Sequence, residues 1–129
     1  MSQDRRTVNA DGAPEAIGPY NHAVQAGGLL FCSGQIPLDP ESGEMVGATA
    51  SEQATQCLKN LEAVCEAAGT SLASAARMTI FTTRLEDFGE INDAYAAFFP
   101  EDPPARAAVG VAALPKGAIV EIDAIVAIG

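Results

Sequence analysis

The spacing of apolar residues along the chain separates strands from helices. The first dozen residues are polar and are expected to hold one short strand around Thr7. From His22, two apolar runs, His-Ala-Val-Gln-Ala and Leu-Leu-Phe-Cys-Ser, flank the pair Gly27-Gly28. Two glycines between such runs signal a hairpin, since both loop positions can take positive φ. That loop sets Ala26 opposite Leu29, His22 opposite Ser33 and Tyr20 opposite Gln35. Residues 37–43 carry Pro, Asp and Gly and are predicted to turn. Thr49-Ala-Ser-Glu52 has the spacing of a capping box, in which each side chain satisfies the other's backbone N–H. Ala54, Cys57, Leu58, Leu61, Val64, Cys65 and Ala68 then recur at helical period, and Gly69 supplies the stop. Gln56, Lys59, Glu62 and Glu66 occupy the opposite face. Residues 76–83 read as a strand with Met78 and Ile80 on one face and Phe81 on the other. Asp87-Phe-Gly-Glu90 is expected to cap a second helix carrying the stripe Phe88, Ile91, Tyr95 and Phe98, ended by Pro100, Pro103 and Pro104. Residues 105–114 and 118–128 are the last two strands, separated by Pro115-Lys116-Gly117.

The order β-β-β-α-β-α-β-β describes an α+β chain with six strands and two helices. Two helices cannot cover both faces of such a sheet, so they should pack on one face and leave the other to be buried by another subunit. At 129 residues the chain is expected to form a single domain, residues 1–129, with no repeat or linker dividing it. Hydrophobic residues are 48% and charged residues 19%, a globular balance. No apolar run approaches the ~20 residues needed to span a bilayer, and Met-Ser-Gln-Asp-Arg-Arg lacks the apolar core of a secretory signal. The expectation is a cytoplasmic protein that does not engage a membrane. Seventeen acids against seven bases give a net charge of −10, with only two lysines. Binding to nucleic acid needs clustered cations to displace counterions, so a nucleic-acid partner is not expected. Three cysteines without a C-x-x-C spacing and a single histidine, His22, provide no tetrahedral zinc set, and disulfide stapling is unsupported. Cys57 and Cys65 read as small buried core groups. Without a phosphate-cradling loop or dinucleotide fingerprint, no nucleotide cofactor is inferred.

Candidate chemistry lies where polar groups interrupt apolar patterns. Arg106 sits in Pro-Ala-Arg-Ala-Ala-Val, where it either reaches solvent from an edge strand or presents its fork to a carboxylate. Glu121 interrupts the apolar run of the last strand, with Asp123 on the same side. A solvated strand face is the better reading for Asp123. A glutamate whose pKa is raised by burial can orient or deprotonate water. Asn92 lies one turn from Phe88 and near Tyr95, and by itself reads as a local backbone partner. Ser33-Gly34 ends an apolar strand and by itself reads as a strand exit. Arg106 and Glu121 together suggest a site for a small carboxylic acid undergoing hydration or hydrolysis. Were the last two strands a simple hairpin about Lys116, Glu121 would face Val111 and Arg106 would lie ~17 Å further along the ladder. Either those strands are not neighbours, or the pair meets across a subunit boundary; a site at the interface is favoured. His22 opposite Ser33 has no third group to orient the imidazole, and a histidine bonded to its cross-strand neighbour is the better account.

Gly18-Pro19-Tyr20, Ser33-Gly34-Gln35-Ile36-Pro37, Asn92 followed by Tyr95 and Phe98-Phe99, and Pro104-Ala105-Arg106 with Val120-Glu121-Ile122 resemble the reactive intermediate deaminase A (RidA) family, also called YjgF/YER057c/UK114. The resemblance covers nearly the whole chain. It implies a chorismate-mutase-like fold with a six-stranded mixed sheet, a homotrimer with clefts at the subunit interfaces, and no cofactor. It also implies hydrolysis of 2-imino acids or their enamine tautomers to 2-keto acids and ammonia. By position, Arg106 matches the arginine that grips the substrate carboxylate and Glu121 the acid that positions water. Tyr20, Ser33, Gly34 and Asn92 match residues lining the cleft. Ala108 stands among the substrate-lining positions where the deaminase branch often has cysteine, and the stretch between Phe99 and Pro104 is short. The alternatives are a metabolite-binding or chaperone-like homologue without turnover, a deaminase of a pathway-specific enamine such as aminoacrylate, and the ribonuclease or translation-inhibitor activity ascribed to some relatives.

Overall fold

A computed structural model describes residues 5–129, so Met1–Asp4, on which the leader expectation partly rests, lie outside the described residues. Six strands form one mixed sheet in the order β1-β2-β3-β6-β4-β5. The strands are β1 (Arg5–Val8), β2 (Ala23–Ala26), β3 (Leu29–Gln35), β4 (Ala75–Thr82), β5 (Ala105–Gly110) and β6 (Val120–Ala127). The helices are α1 (Ala50–Ala67) and α2 (Phe88–Ala96). Gly27 and Gly28, at φ 60° and 79°, make the tight turn between β2 and β3, and Ala26 pairs with Leu29 as the hairpin signal requires. The ladder is shorter than expected. Ser33 donates its backbone N–H to His22 at 2.9 Å, after which Tyr20 turns back on Gly18 rather than pairing with Gln35.

Both helices lie on one sheet face. Leu58, Leu61, Val64 and Cys65 of α1 and Ile91 of α2 meet Leu30, Met78, Ile80, Ile122 and Val126 from the sheet, all fully buried. Burying each large side chain stabilises the fold by about 1.5–3 kcal/mol relative to exposure. α1 begins at the expected capping box: Thr49 accepts from the Glu52 backbone N–H at 3.1 Å, and the Glu52 carboxylate accepts from Thr49 N–H. α2 begins differently. Asp87 makes no capping bond because its carboxylate is drawn to Arg84 Nε at 2.7 Å, while Glu90 reaches across to the Ser51 N–H of α1. The three cysteines are free and buried.

The end of the chain does not form a hairpin. β5 runs parallel to β4, and the chain then crosses the end of β4 through a turn at Pro115–Gly117 and returns as β6 between β3 and β4. Glu121 therefore pairs with Phe81, not Val111. Of the two alternatives the sequence left open, the sheet shows that the last two strands are not neighbours. Opposite the helices, Val24, Phe31, Phe81, Val109 and Ile125 share the uncovered face, with Phe31 44% and Val109 40% exposed. No helix among the described residues is long and apolar enough to cross a membrane.

Candidate functional site

Glu121 stands on the uncovered face of β6, where strand alternation turns its neighbours Val120 and Ile122 inward. Across the ladder β3 shifts register between Cys32 and Gln35, and Ser33 and Gly34 lie in that irregularity. Gly34 has a specific reason to be glycine: a Cβ there would collide with the Glu121 carboxylate, 3.0 Å from its Cδ. Backbone thus forms the wall against which the carboxylate rests. Loss of solvent, and then the charge of Asp123 on the same strand face, raise the Glu121 pKa above the ordinary carboxylate value. Asp123 is itself raised by desolvation, opposed by hydrogen bonding to Thr79 and by Arg77.

Tyr20, Ser33, Gly34 and Glu121 line one cavity of about 320 Å³, closed on its apolar sides by Ile17, Ile36 and Leu38. Ser33 Oγ donates to the Asn21 carbonyl at 2.7 Å, so its oxygen is left to accept from a ligand N–H. The Tyr20 hydroxyl accepts from Ile17 N–H at 3.2 Å and retains its own proton for donation. Two polar side chains of α1 hold the walls. Asn60 donates to the Ile36 and Leu38 carbonyls, and Gln53 accepts from Ile119 N–H at 2.7 Å while donating to Gly47. Sequence reasoning missed both, though Gln53 and Asn60 are polar residues beside the apolar stripe of α1, a readable signal. His22 is structural. Its Nδ1 accepts from Ala10 N–H and its Nε2 donates to the Pro14 carbonyl, so it ties down the preceding loop rather than the Ser33 side chain.

Arg106 belongs to a different place. It pairs with Met78, whose side chain faces the helices, so it projects on the opposite sheet face from Glu121. Its Nη1 donates to Asn92 Oδ1 at 2.8 Å, and its guanidinium carbon lies 5.2 Å from the Phe88 ring and 4.9 Å from the Tyr95 ring. Asn92, Tyr95, Phe99, Pro104 and Arg106 line a second cavity of about 520 Å³. Ala108 lies two residues along β5, opposite Ile80, and lines neither cavity. The expected residues thus fall into two groups within one chain, Tyr20-Ser33-Gly34-Glu121 and Asn92-Arg106. By strand spacing and rise, the Cα atoms of Glu121 and Arg106 are roughly 14 Å apart. Within one chain the sheet itself separates them, as a site shared between subunits requires. Among the described residues, no group of three or more His, Cys, Asp or Glu side chains is disposed to hold a metal ion.

A family model described as Endoribonuclease L-PSP matches residues 10–128. A RutC family protein, y4sK of Sinorhizobium fredii, is 50% identical over 121 residues, covering 94% of this chain and 96% of the relative. The 2-iminobutanoate/2-iminopropanoate deaminase of Mus musculus is 44% identical over 121 residues, covering 94% of this chain and 90% of the relative. Among solved structures, RidA from the Antarctic bacterium Psychrobacter sp. PAMC 21119 superposes with a TM-score of 0.92 at 44% identity, covering 95% of this chain and 99% of that one.

Proposed function

The chain belongs to the endoribonuclease L-PSP family, the RidA/YjgF family, and from that premise we propose that it is a hydrolytic deaminase of reactive 2-imino acids, such as 2-iminopropanoate and 2-iminobutanoate. The observation that carries this reading is the chemistry of the two half-sites. One offers a guanidinium with free N–H groups for a carboxylate, the other a desolvated carboxyl group beside a hydroxyl acceptor and a phenol donor. Because the two lie on opposite sheet faces, the reading requires Arg106 of one copy to meet Glu121 of a neighbouring copy. A homotrimer with the site at its interfaces meets that requirement, and the uncovered apolar face around Phe31, Phe81 and Val109 supports an assembly of copies.

In the reaction, Arg106 and the carboxylate fix C2 of the imine toward a water held by Glu121. The imine nitrogen, as its protonated form, donates to Ser33 Oγ. Glu121 takes a proton from the water as its oxygen bonds to C2, giving a carbinolamine. Glu121 returns that proton to nitrogen and takes up the hydroxyl proton as the C–N bond breaks and the C=O bond forms, giving the 2-keto acid and ammonia, which carries the proton away as ammonium. The iminium is already an activated electrophile, so placing the water accounts for the rate enhancement without a covalent intermediate. Tyr20 donates to the oxygen that forms at C2.

The test couples this protein to a dehydratase that generates imine from serine or threonine while semicarbazide traps what escapes. Deaminase activity lowers the trapped yield and Arg106→Ala restores it. Binding of pyruvate with an unchanged trapping yield would instead identify a metabolite-binding protein. A net charge of −10 weighs against RNA as a substrate. Faster ammonia release from aminoacrylate than from 2-iminobutanoate would point to a pathway-specific enamine.

A further inference from the structure

An arginine on an edge strand ordinarily samples many rotamers, and a substrate that needs one of them must bear the cost of ordering it. Arg106 is surrounded differently. Phe88, Asn92 and Tyr95 stand at i, i+4 and i+7 of α2, hence on one helical face, and all three address the same guanidinium. The two rings lie 5.2 Å and 4.9 Å from its carbon, within the range of cation–π attraction. Asn92 takes a single N–H from Nη1, so most of the five N–H donors, including the edge that a carboxylate grips with two bonds, are left unused.

Two further features set this cluster apart from ordinary packing. The chain carries 17 acids, yet among the described residues none pairs with Arg106, and the ion pairs there are those of Arg84 with Glu86 and Asp87. Its neighbours are a neutral amide and two rings, which orient the charge without neutralising it. The Tyr95 ring is itself fixed, buried and packed at a tilt of 39° against Phe99 with centroids 4.8 Å apart. Its hydroxyl is buried without a partner. Tyr95 therefore contributes its ring and not its hydroxyl group.

We propose that Phe88 and Tyr95 are positioning residues that hold the Arg106 guanidinium, with Asn92, in the orientation that receives the substrate carboxylate. This rests on the assignment of Arg106 to the carboxylate made above. Losing one ring loosens the fork and weakens every carboxylate ligand, whether or not turnover follows.

The experiment titrates the full-length protein with pyruvate by calorimetry and measures kcat and KM for 2-iminopropanoate, with melting curves to check folding. Phe88→Leu and Tyr95→Leu should each weaken pyruvate about two- to fivefold and raise KM by a similar factor, the effect of one cation–π contact on an exposed guanidinium. Tyr95→Phe should recover what Tyr95→Leu loses. Placed on an Arg106→Ala background, neither leucine substitution should weaken binding further. The half-buried Phe88 keeps the test decisive even where a change at the buried Tyr95 impairs folding. Wild-type affinity in a folded Phe88→Leu variant, or losses that add in full on the Arg106→Ala background, would overturn the proposal. Pyruvate binding that depends on Arg106 in a wild-type protein that fails to hydrolyse the imine would defeat the deaminase reading alone, and the same titrations would still decide the role of the two rings.

Discussion

Glu121 and Arg106 occupy one sheet two strands apart, and what fixes each of them differs. Around Glu121 the constraint is main chain: β3 changes register, and Gly34 brings bare backbone against the carboxylate where no side chain would fit. Around Arg106 the constraint is side chains of a single helix, two rings and an amide, at the outer edge of the sheet. A backbone wall leaves the carboxyl group little freedom and takes part of its solvent, the first cause of its raised pKa, with Asp123 the second. A side-chain cradle holds direction while leaving donors open. The comparison teaches that the base is set by exclusion and the anion receptor by alignment, two requirements that one continuous pocket in this sheet would satisfy poorly.

The largest expected effect falls on alignment. Arg106→Ala should lower kcat/KM for 2-iminopropanoate by at least ~100-fold, and Arg106→Lys should recover little, since a lysine cannot make the paired bonds of the fork. Stopped-flow consumption of enzymatically generated imine measures both. Glu121→Gln should reduce kcat by about 100-fold while leaving pyruvate affinity within a factor of a few. A variant that binds poorly but turns over normally would reverse the roles assigned to the two halves. Next comes Gly34→Ala, in which the added methyl displaces the Glu121 carboxylate. A loss of about ten- to hundredfold in kcat is expected, with a smaller change in melting temperature. The pH profile sharpens the contrast further. Glu121 acts as the ionised base, so kcat/KM rises with pH through its folded-state pKa, and the acid limb should lie above the ordinary glutamate range. Asp123→Asn removes the second cause of that shift and should move the limb to lower pH. Desolvation, the first cause, remains, so the shift should be partial. Smallest is Thr49→Ala, which removes half the capping box of α1 and should cost about 1 kcal/mol in denaturant unfolding with kcat/KM intact.

Much of the fold was legible in side-chain periodicity. The hairpin at Gly27-Gly28, the capping box at Thr49 and the inward stripe of α1 are local patterns, and local patterns survive without tertiary knowledge. What failed was equally physical. Asp87 looked like a helix cap, but an arginine three residues earlier competes for its carboxylate. The order of the final strands stayed open because nothing in residues 111–119 encodes that β4 lies between them. Site residues could be picked out as polar interruptions, and Arg106 and Glu121 were found in that way. Their assignment to opposite faces needed the order of the sheet, which alternation within a strand does not contain. Phe88 and Tyr95 were read as core stripe because an aromatic that packs and an aromatic that also faces a cation have the same spacing.

The claim on which the account turns is that each catalytic unit takes its arginine from one copy and its carboxylate from another. Inactive Arg106→Ala and Glu121→Gln proteins, unfolded together in equal amounts and refolded, test it most directly. Random pairing leaves both groups intact at one interface in four, so activity should return to about a quarter of the wild-type value. Mixed assemblies that form, as verified by mass spectrometry, and yet stay as inactive as either parent would contradict it.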